Sequence, residues 1–118
     1  MGNEDYLITL ISGNDSTRVD EAIIVATGLA EKMGAKSVTL LFIGSSIETL
    51  NKFDPRSLIV GNKIEELKKA RVKIMACPVA MGYYHVAESD LIYYDSDKVP
   101  GGKVIADANK EGNTILTF

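Results

Sequence analysis

The sequence predicts a single-domain α/β protein, residues 1–118, built as a three-layer α/β/α sandwich around a mostly parallel five-stranded sheet. Three observations predict it. Strand-like and helix-like segments alternate along the chain, and such alternation places helices on both faces of a parallel sheet. The second strand segment carries Val38, Leu40, Leu41, Phe42 and Ile43 almost without interruption, as a strand covered on both faces does. The 118 residues are 46% hydrophobic and 25% charged, with no repeat, linker or low-complexity tract. That suits one domain with one core.

The first strand spans residues 6–11 and ends in Ser12-Gly13-Asn14-Asp15, a turn composition. Thr17 and Asp20 have the spacing of a capping box. Val19, Ile23, Ala26, Ala30 and Met33 follow at helical intervals, and Gly34 is the terminator. The second strand covers residues 37–43 and stops at Gly44-Ser45-Ser46. Ser45 and Glu48 suggest a second capping box for a short helix reaching Leu50. Residues 51–57 read as a loop broken by Pro55, and residues 58–71 as a helix weakened at Gly61-Asn62. The third strand is residues 72–76, and a short helix follows from Pro78 to about Val86. A short fourth strand falls at either residues 92–94 or residues 98–99. Gly101-Gly102 opens a helix through Val104, Ile105 and Ala108, Gly112 ends it, and residues 113–118 form the last strand.

Charge and composition exclude several classes of function. The net charge is −3, and the thirteen Lys and Arg residues are scattered without a basic stripe, so no nucleic-acid footprint is expected. No apolar run approaches the roughly 18 residues of a membrane span, so no membrane association is expected. The first residues lack a basic-then-apolar signal, and Tyr6 stands where a myristoylation motif wants Ser or Thr. A single cysteine forms no intramolecular disulfide. These features fit a cytoplasmic protein.

Parallel sheets place their sites at the carboxyl ends of the strands. Ser12, Gly13 and Asn14, then Gly44 and Ser45, and finally Cys77 all belong to that rim. Cys77 is the most informative of them. It lies between the third strand and the helix begun by Pro78, and proline suits the first helical position. Peptide N–H groups at a helix start stabilise an anion by about 0.3–1 kcal/mol, and the thiolate is the reactive form of cysteine. Val79 and Ala80 are the expected donors. Burial acts the other way, and free cysteine often only fills space. Position alone therefore leaves a reactive and a structural Cys77 equally open.

Other residues carry double readings. His85, the only histidine, is either a base near the thiol or a surface residue; contact with Cys77 would require the helix to break near Gly82. Tyr83, Tyr84, Tyr93 and Tyr94 either wall a pocket or bury a subunit interface. The segment 12–17 is an anion-binding turn or a plain cap, and it matches no phosphate-loop or dinucleotide motif. Asp90, Asp95 and Asp97 read as an exposed loop rather than a metal site.

Several pieces together resemble the DsrE/DsrF-like family. They are the first strand with the helix ending Ala30-Glu31-Lys32-Met33-Gly34, the strand Val38-Thr39-Leu40-Leu41-Phe42-Ile43-Gly44, and the run from Leu67 to Cys77. Gly101-Gly102 before the last helix and the ending Thr114-Ile115-Leu116-Thr117-Phe118 complete them. The resemblance implies a flavodoxin-like sandwich that assembles into a homo-oligomer, trimer or hexamer. It implies that Cys77, the only residue onto which that role transfers, carries sulfur as a persulfide; Pro78, Val79, Ala80, Tyr83 and His85 are candidate binding residues from their place just after it in the chain. A small TusA-like sulfur-carrier protein is the implied partner, and the chemistry needs no metal and no organic cofactor. Two other classes stand beside this one: a non-catalytic oligomeric binding module with a structural Cys77, and a thiol redox sensor.

Overall fold

The computed structural model describes residues 4–95 and 99–118. Four strands form one sheet: β1 (Asp5–Leu10), β2 (Ser37–Phe42), β3 (Lys73–Ala76) and β4 (Thr114–Thr117), in the order β3-β2-β1-β4. Every neighbouring pair is parallel. The register lines up Ile74, Leu40, Ile8 and Leu116 in one row across the sheet, and Met75, Leu41, Thr9 and Thr117 in the next. Successive residues point to opposite faces, so the first row serves one layer of helices and the second row the other.

The helices are α1 (Ser16–Glu31), α2 (Ser57–Gly61), α3 (Ile64–Lys69), α4 (Pro78–Tyr83) and α5 (Gly101–Lys110), with 3₁₀ turns at Gly44–Leu50 and Glu88–Asp90. The larger core cluster joins Ile8, Leu10, Leu40, Phe42 and Ile74 to Val19, Ile23 and Ala26 of α1, Val60 of α2 and Leu67 of α3. The smaller cluster joins Leu7, Leu41 and Met75 to Ala108 of α5, with Val104 and Ile105 packed at its margin. The three-layer sandwich is therefore present, with one face more heavily covered. Among the described residues, no helix is long and apolar enough to cross a membrane.

Among the described residues the sheet has four strands rather than the expected five. The apolar segment at residues 92–94 runs past the free edge of β3 without forming a ladder. Asp95 pairs with the edge: its N–H donates to the Ile74 carbonyl at 2.7 Å, and its carboxylate accepts from the Ile74 N–H at 2.7 Å. A side chain thus stands where a neighbouring strand's carbonyl would be. Ile92 donates instead to Leu50 O at 2.8 Å, and Leu91 makes an isolated antiparallel bridge to Asn51. Lys98, part of the alternative location for that strand, and Asp97 lie outside the described residues.

Local chemistry accounts for the other differences. Asp15, not Thr17, caps α1, its carboxylate accepting from the Thr17 and Arg18 N–H groups at 3.0 and 3.2 Å. The helix ends at Glu31, which leaves Met33 66% exposed rather than on the buried face. The single helix expected over residues 58–71 is two, divided after Gly61. Ser45 caps no helix; its hydroxyl accepts from Gly13 N–H at 3.1 Å. Helices α3, α4 and α5 end alike, with a left-handed residue closing paired bonds to the last turn. Gly112 does this for α5, but Arg71 and His85, at φ of 63° and 55°, do it for α3 and α4.

Gly28 lies inside α1, and a Cβ built there meets nothing within 4 Å. Glycine in a helix interior costs roughly 0.5–1 kcal/mol relative to alanine. Gly28→Ala is expected to stabilise the protein by about that amount, read as a higher midpoint in thermal or urea unfolding.

Candidate functional site

Cys77 directly follows β3. Its N–H donates to Phe42 O at 3.0 Å, which extends the β2–β3 ladder by one residue. Its carbonyl accepts from Met81 N–H at 3.0 Å, the first bond of α4. Cys77 is thus the N-cap of α4, with Pro78 at the first helical position, as the strand–proline order requires. Its side chain, however, caps nothing in α4. The donor to the sulfur is neither Val79 nor Ala80. It is the N–H of Gly101, 3.3 Å from Sγ and 24 residues further along the chain.

Gly101 is the first residue of α5, and that helix brings the positive end of a ten-residue peptide dipole to the sulfur. Pro100 precedes it and accepts from Lys103 and Val104, so the chain enters the helix with the Gly101 N–H free to serve the thiol. A Cβ at position 101 would sit 2.6 Å from Ile43 Cγ2 and 3.4 Å from Sγ. Glycine is what the close approach of α5 to the rim allows. The sulfur itself is well covered: Cys77 is 5% exposed and belongs to the larger core cluster.

The residues around it divide into two groups. Ala80 packs inward, Pro78 is half-buried, and Val79 and Tyr83 project outward at 67% and 76% exposure. Val79 and Tyr83 are four apart and so share the outer face of α4. The Tyr83 and Tyr84 rings meet edge-on at 4.9 Å. Helix α4 continues through Gly82 to Tyr83, so His85 lies beyond the end of α4 opposite Cys77. His85 N–H donates to Gly82 O, and Val86 N–H to Met81 O at 2.9 Å. The backbone of His85 is thus occupied in closing the helix.

The second group is the rim formed by the loops after β1 and β2. Gly13 N–H donates to Ser45 Oγ, and Ser46 Oγ donates to Leu10 O at 2.5 Å. A Cβ at Gly13 would meet Ser45 O at 2.8 Å, and one at Gly44, whose φ is +57°, would meet Ile11 O at 2.6 Å. Ser12 Oγ accepts from Asn14 N–H, and Asn14 Oδ1 accepts from Arg56 at 2.9 Å. Arg56 also grips Asp54 through Nε and Nη2, at 3.0 and 2.6 Å, and reaches Glu48 at 3.4 Å. Gly13 is therefore tied to Ser45, Ser12 to Asn14 and Asn14 to Arg56, while Gly44 lies against Ile11. Arg56 carried no sign of this role in the sequence, since its partners are dispersed from Asn14 to Asp54.

Tyr93 and Tyr94 do not join Tyr83. Tyr93 donates to Asp95 at 3.1 Å, beside the edge of β3, under Lys68 at 5.0 Å from its ring. Burial, reinforced by Asp95, raises the Tyr93 hydroxyl above the ordinary phenol value. Tyr94 donates to Glu88. Asp90 accepts from Ala87 N–H at 3.0 Å and closes its own turn.

A model of the DsrE/DsrF-like family matches residues 5–118. The chain belongs to the DsrE/DsrF-like family. Solved structures of the same fold include the conserved protein of unknown function BT1422 from Bacteroides thetaiotaomicron, with a TM-score of 0.76 and 17% identity over 98% of this chain and 95% of that one. MTH1491 from Methanobacterium thermoautotrophicum, also of unknown function, has a TM-score of 0.76 and 18% identity over 98% and 100% of the two chains. The YchN protein of E. coli has a TM-score of 0.75 and 14% identity over 98% and 99%. Among curated proteins none matches.

Two outcomes follow from this geometry. The hydrogen bonds from Arg56 hold the Asp54 carboxyl below its ordinary value. A carboxyl lowered in the folded state contributes stability that is present above its unfolded value and is lost as pH falls through its folded value. The stability advantage of the native chain over Asp54→Asn, about 1 kcal/mol for a half-exposed charged pair, is therefore expected to hold at neutral pH. It should shrink below about pH 4, as measured by urea unfolding across the acid range. Separately, His85→Gly removes the left-handed cost of a side-chain-bearing residue and is expected to stabilise by about 1 kcal/mol. Thiol labelling of Cys77 should be unchanged, because His85 serves the helix end.

Proposed function

We propose that this protein is a sulfur-carrier subunit in which Cys77 takes up and passes on persulfide sulfur. One observation carries the reading: a lone cysteine at the carboxyl end of β3 has its sulfur met by the first N–H of α5, at 3.3 Å. An N–H donor at a helix start favours a sulfur anion over neutral sulfur. That serves the attacking thiolate and equally the persulfide anion it becomes. The thiolate attacks the outer sulfur of a donor persulfide. A new S–S bond forms on Cys77, the donor's S–S bond breaks, and the donor departs as a thiolate. An acceptor thiolate then attacks the outer sulfur of the Cys77 persulfide, and Cys77 leaves as the thiolate. The two steps move one sulfur atom with no net oxidation, as in thiol–disulfide exchange. A small TusA-like carrier protein is the proposed exchange partner, the cytoplasm the proposed compartment, and a homo-oligomer, trimer or hexamer, the proposed working form.

The coverage of Cys77, 5% exposed, favours a second reading, in which the thiol only packs and the protein is a binding module. Mass spectrometry after challenge with a small persulfide donor separates the two. The sulfur-carrier reading expects the native chain to gain the mass of one sulfur atom, Cys77→Ala to gain none, and dithiothreitol to reverse the gain. Gly101→Ala, which forces the start of α5 away from Ile43 and Sγ, should lower the yield while the protein stays folded. A native chain that gains no sulfur, and whose thiol is alkylated only in denaturant, supports the binding module instead.

A further inference from the structure

The two edges of the sheet are treated differently. At the β3 edge, Ile74 points its N–H and C=O outward, and Asp95 satisfies both. Among the described residues the β4 edge has no such device. Phe118 donates to Thr9 O at 2.8 Å and accepts from Ile11 N–H at 3.0 Å, so its backbone faces β1. Strand groups alternate in direction; Leu116 and Thr114 therefore also face β1, and Ile115 and Thr117 face away. No described residue pairs with the outward N–H and C=O groups of Ile115 and Thr117. The strand carries no proline, no charge and no bulge, the usual means of blocking an open edge.

We propose that β4 is the seam at which a second copy of this chain joins, its β4 running antiparallel to make one continuous sheet. Self-pairing fits the edge in a single register. With the twofold axis at Leu116, Ile115 lies opposite the partner's Thr117 and Thr117 opposite the partner's Ile115. Each of these is a hydrogen-bonded pair that uses both outward groups of both residues. Displacement by one residue sets outward groups against inward ones. Displacement by two leaves one pair of β4 residues or brings in Asn113, whose N–H is already given to Ala108 O. The same register sets Leu116 against its own copy and Thr114 against Phe118, and pairs β-branched Ile115 with Thr117, a favourable cross-strand combination. An uncharged edge is also what a strand needs to lie beside itself, since identical charges across the axis would repel. The seam lies apart from Cys77 and stands whether or not sulfur transfer does. A twofold seam demands an even number of copies, so it is compatible with a hexamer and not with an isolated trimer.

The test is the mass of the full chain by sedimentation and light scattering across micromolar concentrations, joined to hydrogen exchange at single amides. The native chain should form an even-numbered assembly in which the Ile115 and Thr117 amides exchange at least about tenfold more slowly than in the dissociated chain. Thr117→Pro removes an N–H that points away from β1 and so spares the β1 ladder. It should halve the assembly's mass with the circular dichroism spectrum retained. Thr117→Val keeps the N–H and should keep the mass. A native monomer, an odd-numbered assembly, or a folded Thr117→Pro protein of undiminished mass would overturn the proposal. If Thr117→Pro does not fold, the native chain decides: fast exchange at Ile115 and Thr117 within an even-numbered assembly refutes the seam. Protection that arises only when a different protein is added also refutes it, by giving the edge another occupant.

Discussion

A parallel sheet makes every strand end at the same rim, and the rest of this molecule depends on that constraint. Because β1, β2 and β3 run the same way, the chain must leave each at one side and return through a crossover. The loops that follow them emerge together, which puts Gly13, Gly44 and Cys77 on one side of the molecule. The apolar row Ile74–Leu40–Ile8–Leu116 on one face, and on the other Met75 and Leu41 beside the hydrogen-bonded Thr9–Thr117 pair, hold that arrangement against the two helix layers. Burial of this kind fixes register, since a one-residue slip would turn each strand's side chains to the wrong layer.

Crowding at the rim then decides which residues can occupy it. Gly13, Gly44 and Gly101 each sit where a Cβ would lie under 3 Å from a neighbour. Two of these close approaches lock the β1 and β2 loops together, and the third seats the start of α5 beside the sulfur of Cys77. Arg56 ties the first pair down through Asn14, Asp54 and Glu48. One half of the rim is consequently a rigid support, with its polar groups turned on each other. The other half holds a single sulfur atom facing one peptide dipole. Covering that atom strengthens the interaction with the dipole, because the local dielectric falls, and limits which reagents reach it.

Much of the architecture was legible in the chain itself. Apolar runs located β1, β2, β3 and β4, and the 3.6-residue period located α1, with Gly34 and Gly112 marking helix ends. Local pattern reports burial along an element, and these elements are long or uniform enough for it to speak. Residues 92–94 show where it fails. They are as apolar and β-prone as a strand, yet the carboxylate of Asp95 takes up the β3 edge in a strand's place. The left-handed positions of Arg71 and His85 were equally silent, because the usual signal for that conformation is glycine.

By itself the sequence determined an α/β sandwich of parallel strands and a lone cysteine on the rim, since both follow from residue order and periodicity; the family entered as a resemblance of several segments taken together. Tertiary structure alone decided that Gly101 meets Cys77, that Arg56 braces the rim, and that Asp95 takes up the edge of β3 at Ile74. Those outcomes join residues dozens of positions apart. Distance in the chain leaves no periodic trace, and only packing chooses which distant groups come to share a hydrogen bond.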